Sequence, residues 1–139
     1  MATPAIITCP ITGREARVVR GEALAVLPPY PSKAYNATLD VVDTAYTVVP
    51  GRGSETFHIT SIILIGNKNI NTATDATVTI FEALATDLTS SLNNILVVPV
   101  GTSGQLVLTG IDIEAGDGRF LMGKTSDDDV FVTILGYYI

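Results

Sequence analysis

From residue 35 onward, hydrophobic and polar residues alternate over short stretches, and Thr, Val and Ile dominate these stretches. Such β-branched residues suit a pleated surface that is buried on one side. Over residues 56–60, Phe57 and Ile59 share one face, while the intervening polar residues share the other. The same alternation recurs over residues 77–80. A period of two residues predicts β-strands rather than helices.

Two apolar runs break this alternation. Residues 62–65 read Ile-Ile-Leu-Ile, and in residues 130–135 both the odd and the even positions carry large apolar side chains. A strand that is apolar on both sides is typical of a strand covered on both faces. We therefore expect both segments to be buried on both faces.

The pattern predicts an all-β fold, an antiparallel β-sandwich that is jelly-roll-like and has about eight strands. The strands are expected near residues 37–42, 45–49, 56–65, 76–84, 94–100, 105–108, 119–123 and 130–138, with a short extra piece at 111–114. Gly, Asn and Asp clusters at 50–53, 66–69 and 116–118 supply turns between them. Residues 85–94 form a longer polar connection.

The first 34 residues differ in composition from the remainder. They contain five of the seven prolines and have a net charge of +2, whereas residues 35–139 have a net charge of −8. We therefore divide the chain into an N-terminal arm at 1–34, extended or with a short helix over 14–27, and a β-sandwich domain at 35–139. The arm is expected to dock on a partner, with Arg14, Arg17, Arg20 and Tyr30 as its contacts.

The composition narrows the class of protein. The 139 residues have a net charge of −6 and are 47% hydrophobic, with a mean hydropathy of +0.41. An acidic chain is a poor ligand for nucleic acid, which requires a basic face. The apolar runs are too short to span a bilayer, and the N-terminus lacks the features of a secretory signal. High hydropathy without a membrane segment indicates burial in an oligomer interface.

Candidate chemistry is sparse. The single cysteine, Cys9, and the single histidine, His58, exclude an intramolecular disulfide, a cysteine-rich zinc site and a histidine-based metal centre. Asp127, Asp128 and Asp129 are interpreted as a charged turn, since their spacing is not that of a calcium loop. Glu55, Glu82 and Glu114 have no evident pairing for acid–base work. We expect no catalytic residue, no cofactor and no metal, and hence no enzyme.

Several strand and turn motifs carry a family resemblance. An "ITSI" strand is followed by an Asn-containing turn, and then come an "ATVT" strand, an "EAGD" turn and a final "V-x-V-T-I-x-G" strand. A strand that begins with an apolar pair lies between the "ATVT" strand and the "EAGD" turn. With it, the pieces occupy residues 59–67, 76–81, 105–108, 113–117 and 130–136. Over residues 45–139 the chain resembles small virion proteins of tailed phages, whose sandwich domains serve as capsid decoration (cement) proteins or as head- and tail-fibre domains. The resemblance implies a trimer.

The resemblance and the composition together predict a virion structural protein, a capsid decoration or cement protein that binds and stabilises the phage head. Its expected partners are further copies of itself, in a homotrimer, and the major capsid protein, without nucleic acid or membrane. It would be made in the host cytoplasm and lie on the capsid surface of the virion. The alternative is a head-fibre or tail-fibre domain that binds a host receptor or glycan. A carbohydrate-active enzyme would instead require carboxylates that converge in one cleft.

Overall fold

A computed structural model describes residues 32–67, 75–127 and 129–139, together with three short strands nearer the N-terminus. The chain divides into two compact units, Met1–Pro31 and Ser32–Ile139. The predicted docking of an arm at 1–34 stays a prediction.

The first unit contains a small antiparallel sheet. Its strands are β1 (Ile6–Thr8), β2 (Glu15–Val19) and β3 (Ala23–Ala25), in that order across the sheet. The short helix that the sequence allowed over 14–27 is therefore not formed at β2 or β3. The consecutive β-branched Val18 and Val19 disfavour a helix, and Gly21 would interrupt one.

The second unit consists of eight strands in two four-stranded sheets, as the sequence predicts. The strands are β4 (Lys33–Leu39), β5 (Tyr46–Val49), β6 (Phe57–Gly66), β7 (Ala76–Ala83), β8 (Asn93–Val100), β9 (Gln105–Glu114), β10 (Phe120–Thr125) and β11 (Val130–Tyr138). Sheet I has the order β5-β10-β7-β8, and sheet II has the order β4-β11-β6-β9. No described residue belongs to a helix, so none contributes an apolar helix that could cross a membrane.

The pairing is that of a jelly roll. The first strand of the unit pairs with the last, the second with the second-last, and so on inward to the β7–β8 hairpin, always antiparallel. The chain is thus folded double, and the doubled chain is wound so that alternate pairs fall in opposite sheets. The all-β antiparallel sandwich predicted from the alternation is confirmed.

The core lies between the two sheets and consists mainly of aliphatic and aromatic side chains. Its largest fully buried side chains include Phe57, Ile62, Leu64, Ile80 and Ile134. Alternate residues of each strand supply it, since successive side chains in a strand point to opposite faces. Burying side chains of this size stabilises the fold by about 1.5–3 kcal/mol each.

The predicted burial on both faces is wrong for the two apolar runs. Ile65 and Phe131 are 42% and 43% exposed, although their neighbours in the same strands are buried. In a two-layer sandwich each sheet has only one inner face, so the second face of β6 and β11 points outward. These runs therefore place apolar side chains on the outside of sheet II.

Two of the strand boundaries that differ from the sequence prediction lie near residues with a positive φ. Strand β4 ends at Leu39, because the backbone turns at Asp43, which has a φ of 54°. The predicted piece at 111–114 is instead part of β9, where Gly110 has a φ of 66°. The β6–β9 register shifts close to that glycine, so one bulged strand replaces two short ones.

Glu82 lies in β7, which pairs with β10, and its side chain holds the turn between β9 and β10 in place. Its carboxylate is nearly buried and accepts a hydrogen bond from the Gly116 backbone N–H at 2.6 Å. The Gly118 N–H donates to the Glu55 carbonyl at 2.9 Å, which closes the same region. The side chain of Glu82 thus has a structural partner.

We expect Glu82→Ala to lower the free energy of unfolding by about 1–3 kcal/mol, since it removes a partly buried hydrogen bond to a charged acceptor. Urea denaturation followed by circular dichroism measures the loss. Glu82→Gln retains an acceptor oxygen and should lose less than Glu82→Ala. An alanine variant as stable as the wild type would contradict this role.

Candidate interaction surface

The outward side of sheet II contains an uncharged region of twelve residues, which we call the outer face. The β4–β11, β11–β6 and β6–β9 registers place its residues in three rows of four. The rows are Thr38-Phe131-Ile65-Gln105, Asn36-Thr133-Ile63-Val107 and Ala34-Leu135-Ser61-Thr109. None of these residues carries a formal charge.

The centre of the outer face is apolar and open. Phe131, Ile65 and Val107 are 43%, 42% and 45% exposed. Phe131 lies directly opposite Ile65, and Ile63 lies directly opposite Val107. Side chains opposite each other on one face of a sheet are in contact range. The exposed apolar side chains therefore form a continuous patch rather than isolated surface residues.

On the outward side of sheet I, by contrast, the large aromatic and sulfur-containing side chains are buried. Phe81 and Met122 point away from the main core, yet they are only 1% and 2% exposed. They form a second cluster with Leu88, Ala45 and Phe120 packed around them. Leu88 belongs to the connection between β7 and β8, so the chain covers this cluster on the outside of sheet I with its own loop.

His58 lies on the outward side of sheet II, beyond the three rows. Its ring stacks on Tyr137 with centroids 5.1 Å apart and an interplanar angle of 1°. Its Nδ1 is 3.5 Å from the Asp112 carboxylate, and Glu114 lies opposite it in the register. Within the described parts of the chain, no three His, Cys, Asp or Glu residues group as metal ligands.

An aromatic cluster with one arginine packs at the end of the sandwich. The Arg52 guanidinium lies 4.1 Å from the centroid of the Tyr138 ring and donates to the Tyr35 hydroxyl at 3.4 Å. Phe57 and Tyr138 meet edge to face at 4.9 Å. The Tyr138 hydroxyl donates to the Pro50 carbonyl. These contacts join the end of β11 to the β5–β6 turn, so the cluster has a packing role.

Tyr138 should make stability depend on alkaline pH. Burial, followed by the neighbouring Tyr35, raises the pKa of Tyr138 from 10.0 to about 12. A raised folded-state pKa contributes stability that is fully present below the unfolded-state pKa and is lost as pH rises to the folded value. We expect the free energy of unfolding to fall between about pH 10 and 12, and to fall less steeply in Tyr138→Phe. Equal slopes in urea denaturation across that range would contradict the assignment.

The structure describes part of the predicted charged turn at 127–129. Asp129 accepts a hydrogen bond from the Asn67 side-chain amide at 2.9 Å and has a φ of 51°, as in a tight turn. Asp128 lies outside the described residues.

Of the predicted contacts in the N-terminal segment, Arg17 lies in β2, opposite Ile6 and Ala25. Of the other residues singled out in the N-terminal segment, the ones outside the described residues are Cys9, Arg14, Arg20 and Tyr30. Their roles stay predictions.

The chain matches no known protein family and no curated protein sequence. It is similar in structure to a chain in the acidic stable capsid structure of Helicobacter pylori bacteriophage KHP30, with a TM-score of 0.53 and 11% identity over 78% of this chain and 90% of that one. It also overlaps a chain of the cyanophage Pam1 capsid asymmetric unit, with a TM-score of 0.47 and 15% identity over 86% of this chain and 96% of that one. The first likeness shows a shared fold; the second overlap is too loose to carry an argument.

Proposed function

We propose that this protein is a phage virion structural protein that decorates the capsid and stabilises it. In this proposal it is a homotrimer that binds the major capsid protein on the outside of the head. Its work is adhesive and requires no catalytic group and no cofactor. It is made in the host cytoplasm and functions in the virion.

The observation that carries the proposal is the open outer face of sheet II. The sandwich has a complete core between its sheets, and yet Phe131, Ile65 and Val107 remain exposed in one uncharged patch. A contiguous apolar patch on a folded domain is typical of a surface that another protein covers. A protein with such a contact surface suits a structural role in an assembly rather than a catalytic role.

The jelly roll supports a place in the capsid. The fold is shared with a chain of a phage capsid structure, and fold alone does not determine function. The adhesive surface and the fold together favour a virion component over a soluble carbohydrate-binding domain. The latter would need an aromatic platform, whereas Tyr137 stacks on His58 and Tyr138 packs into the end of the sandwich.

The basic N-terminal segment supplies the second contact in this proposal. Residues 1–34 have a net charge of +2, against −8 for the remainder. Arg14, Arg17 and Arg20 suit carboxylates on a capsid protein, because a guanidinium can bind a carboxylate with two hydrogen bonds. Tyr30 adds an apolar contact near the end of the segment.

Labelling of the virion tests the proposal. Gold-labelled protein bound to phage particles, or an antibody to the protein, should decorate the whole head in negative-stain images. Label confined to the tail or to a fibre would favour the alternative of receptor or glycan binding. Absence of label from particles that contain every other structural protein would contradict a virion role altogether.

A further inference from the structure

We propose that the outer face of sheet II is the surface by which the protein packs against another copy of itself. This inference deepens the proposed trimer and rests on it. The partner is a second chain of the same sequence rather than the capsid protein. Charge and the covering of the two sheets support it.

The charge of the unit indicates which partner the outer face suits. Residues 32–139 contain five Lys and Arg against twelve Asp and Glu. Two such acidic units repel each other. Carboxylates that face each other across a close interface would destabilise the complex by on the order of a few kcal/mol. The twelve positions of the outer face carry no charge at all. This face therefore allows two copies to meet without burying like charges.

A basic partner would use a different surface. Such a partner is attracted and oriented by carboxylates, which steer association and fix the register of a complex. The acidic residues of the unit lie off the outer face; Asp112, for example, lies beyond its third row beside His58. The uncharged rows offer a basic partner no carboxylate, whereas a second acidic copy can pack against them without placing carboxylates opposite each other.

The contrast between the two sheets supports the same partner. The loop that carries Leu88 packs over Phe81 and Met122, so these two apolar side chains on the outside of sheet I are covered within one chain. Phe131, Ile65 and Val107 have no such cover from the described residues 32–67, 75–127 and 129–139. A ring of three joins two different patches at each contact. Each outer face would therefore receive a side of the next sandwich, and damage to this one face would break every contact in the ring.

Two matched substitutions test the inference in the full-length chain. Val107 lies on edge strand β9 in the outer face, and Val97 lies on edge strand β8 of sheet I; they are 45% and 54% exposed. Val107→Glu and Val97→Glu introduce the same charge at similarly exposed valines. Light scattering after size exclusion gives the mass of each species, and circular dichroism confirms that each variant is folded.

The wild type and Val97→Glu should have about three times the 14.6 kDa mass of one chain. Val107→Glu should have the mass of one chain, because burying an unpaired carboxylate in the contact raises the concentration needed for assembly about 30-fold or more. Phe131→Ser, which adds no charge, should also weaken assembly and provides a second variant if Val107→Glu does not fold. A wild type of single mass, or a Val107→Glu variant that stays assembled, would overturn the inference.

Binding of the same variants to purified capsids separates this inference from the proposed function. If Val107→Glu dissociates and the wild type does not bind capsids, the self-interface holds and the decorating role fails. If Val107→Glu remains a trimer but no longer binds capsids, the outer face contacts the capsid protein and the inference is wrong.

Discussion

A chain that begins at residue 32 should fold, but should no longer bind capsids. The sandwich core lies wholly between Leu39 and Ile134, so removal of Met1–Pro31 deletes none of it. The deleted segment contains Arg14, Arg17 and Arg20 in a chain that is otherwise strongly acidic. Without it, the sandwich approaches the capsid with five Lys and Arg against twelve Asp and Glu, and it lacks the cluster of arginines that would offset this charge. Cosedimentation of the truncated protein with purified capsids measures the loss.

A full-length variant with Arg14, Arg17 and Arg20 all changed to Gln is the control for length. It keeps the segment and removes only its cationic side chains, so it should bind capsids more weakly than the wild type. Its affinity should also fall less steeply than that of the wild type as the salt concentration is raised. The truncated chain should still unfold in a cooperative thermal transition, which circular dichroism measures. Unchanged capsid occupancy of the truncated protein would refute the docking role of the segment.

Truncation of a core leucine should have the largest effect on stability. Leu64 lies in central strand β6, opposite Val132 and Leu106, and is fully buried. Leu64→Ala removes apolar contacts and leaves a cavity between the sheets, which should cost about 3–5 kcal/mol. For a single sandwich that is a large part of the total free energy of unfolding. The chain has no tryptophan, so urea denaturation should be followed by far-ultraviolet circular dichroism.

Leu92→Ala is the matched control, since it removes the same atoms from a leucine that is 50% exposed. Its free energy of unfolding should change by less than about 0.5 kcal/mol, as for most surface substitutions. If the two variants were destabilised equally, the interior between sheets I and II would not be the main source of stability.

The strands were predictable because their signals are local. Strand β11 matches the expected range, and β7 differs from it by one residue, since alternating β-branched residues between turn-forming residues specify both. Strand β4 begins and ends earlier than predicted, at Lys33 and Leu39 instead of 37 and 42. Val41 and Val42 look like strand residues, but they are exposed in a turn in which the Asp43 N–H donates to the Thr125 carbonyl. That hydrogen bond joins segments far apart in sequence, so local patterning cannot indicate it.

The outer face could be anticipated only in part. High mean hydropathy predicted an apolar surface, but the runs at 62–65 and 130–135 looked like strands covered on both faces. Periodicity reports that a face is apolar, and it does not say whether the chain itself or another molecule covers that face. The pairing of Phe131 with Ile65 follows from the jelly-roll order of β11 and β6, which needed the structure. The contacts of the N-terminal segment stay predictions.

A cryo-electron microscopy reconstruction of capsids bound to the full-length protein tests the account most directly. The account predicts sandwiches in groups of three on the outside of the shell, each with its outer face turned toward a neighbouring copy and its N-terminal segment against the capsid protein. Single sandwiches whose Phe131, Ile65 and Val107 face open solvent, or density for the protein at the tail alone, would contradict it.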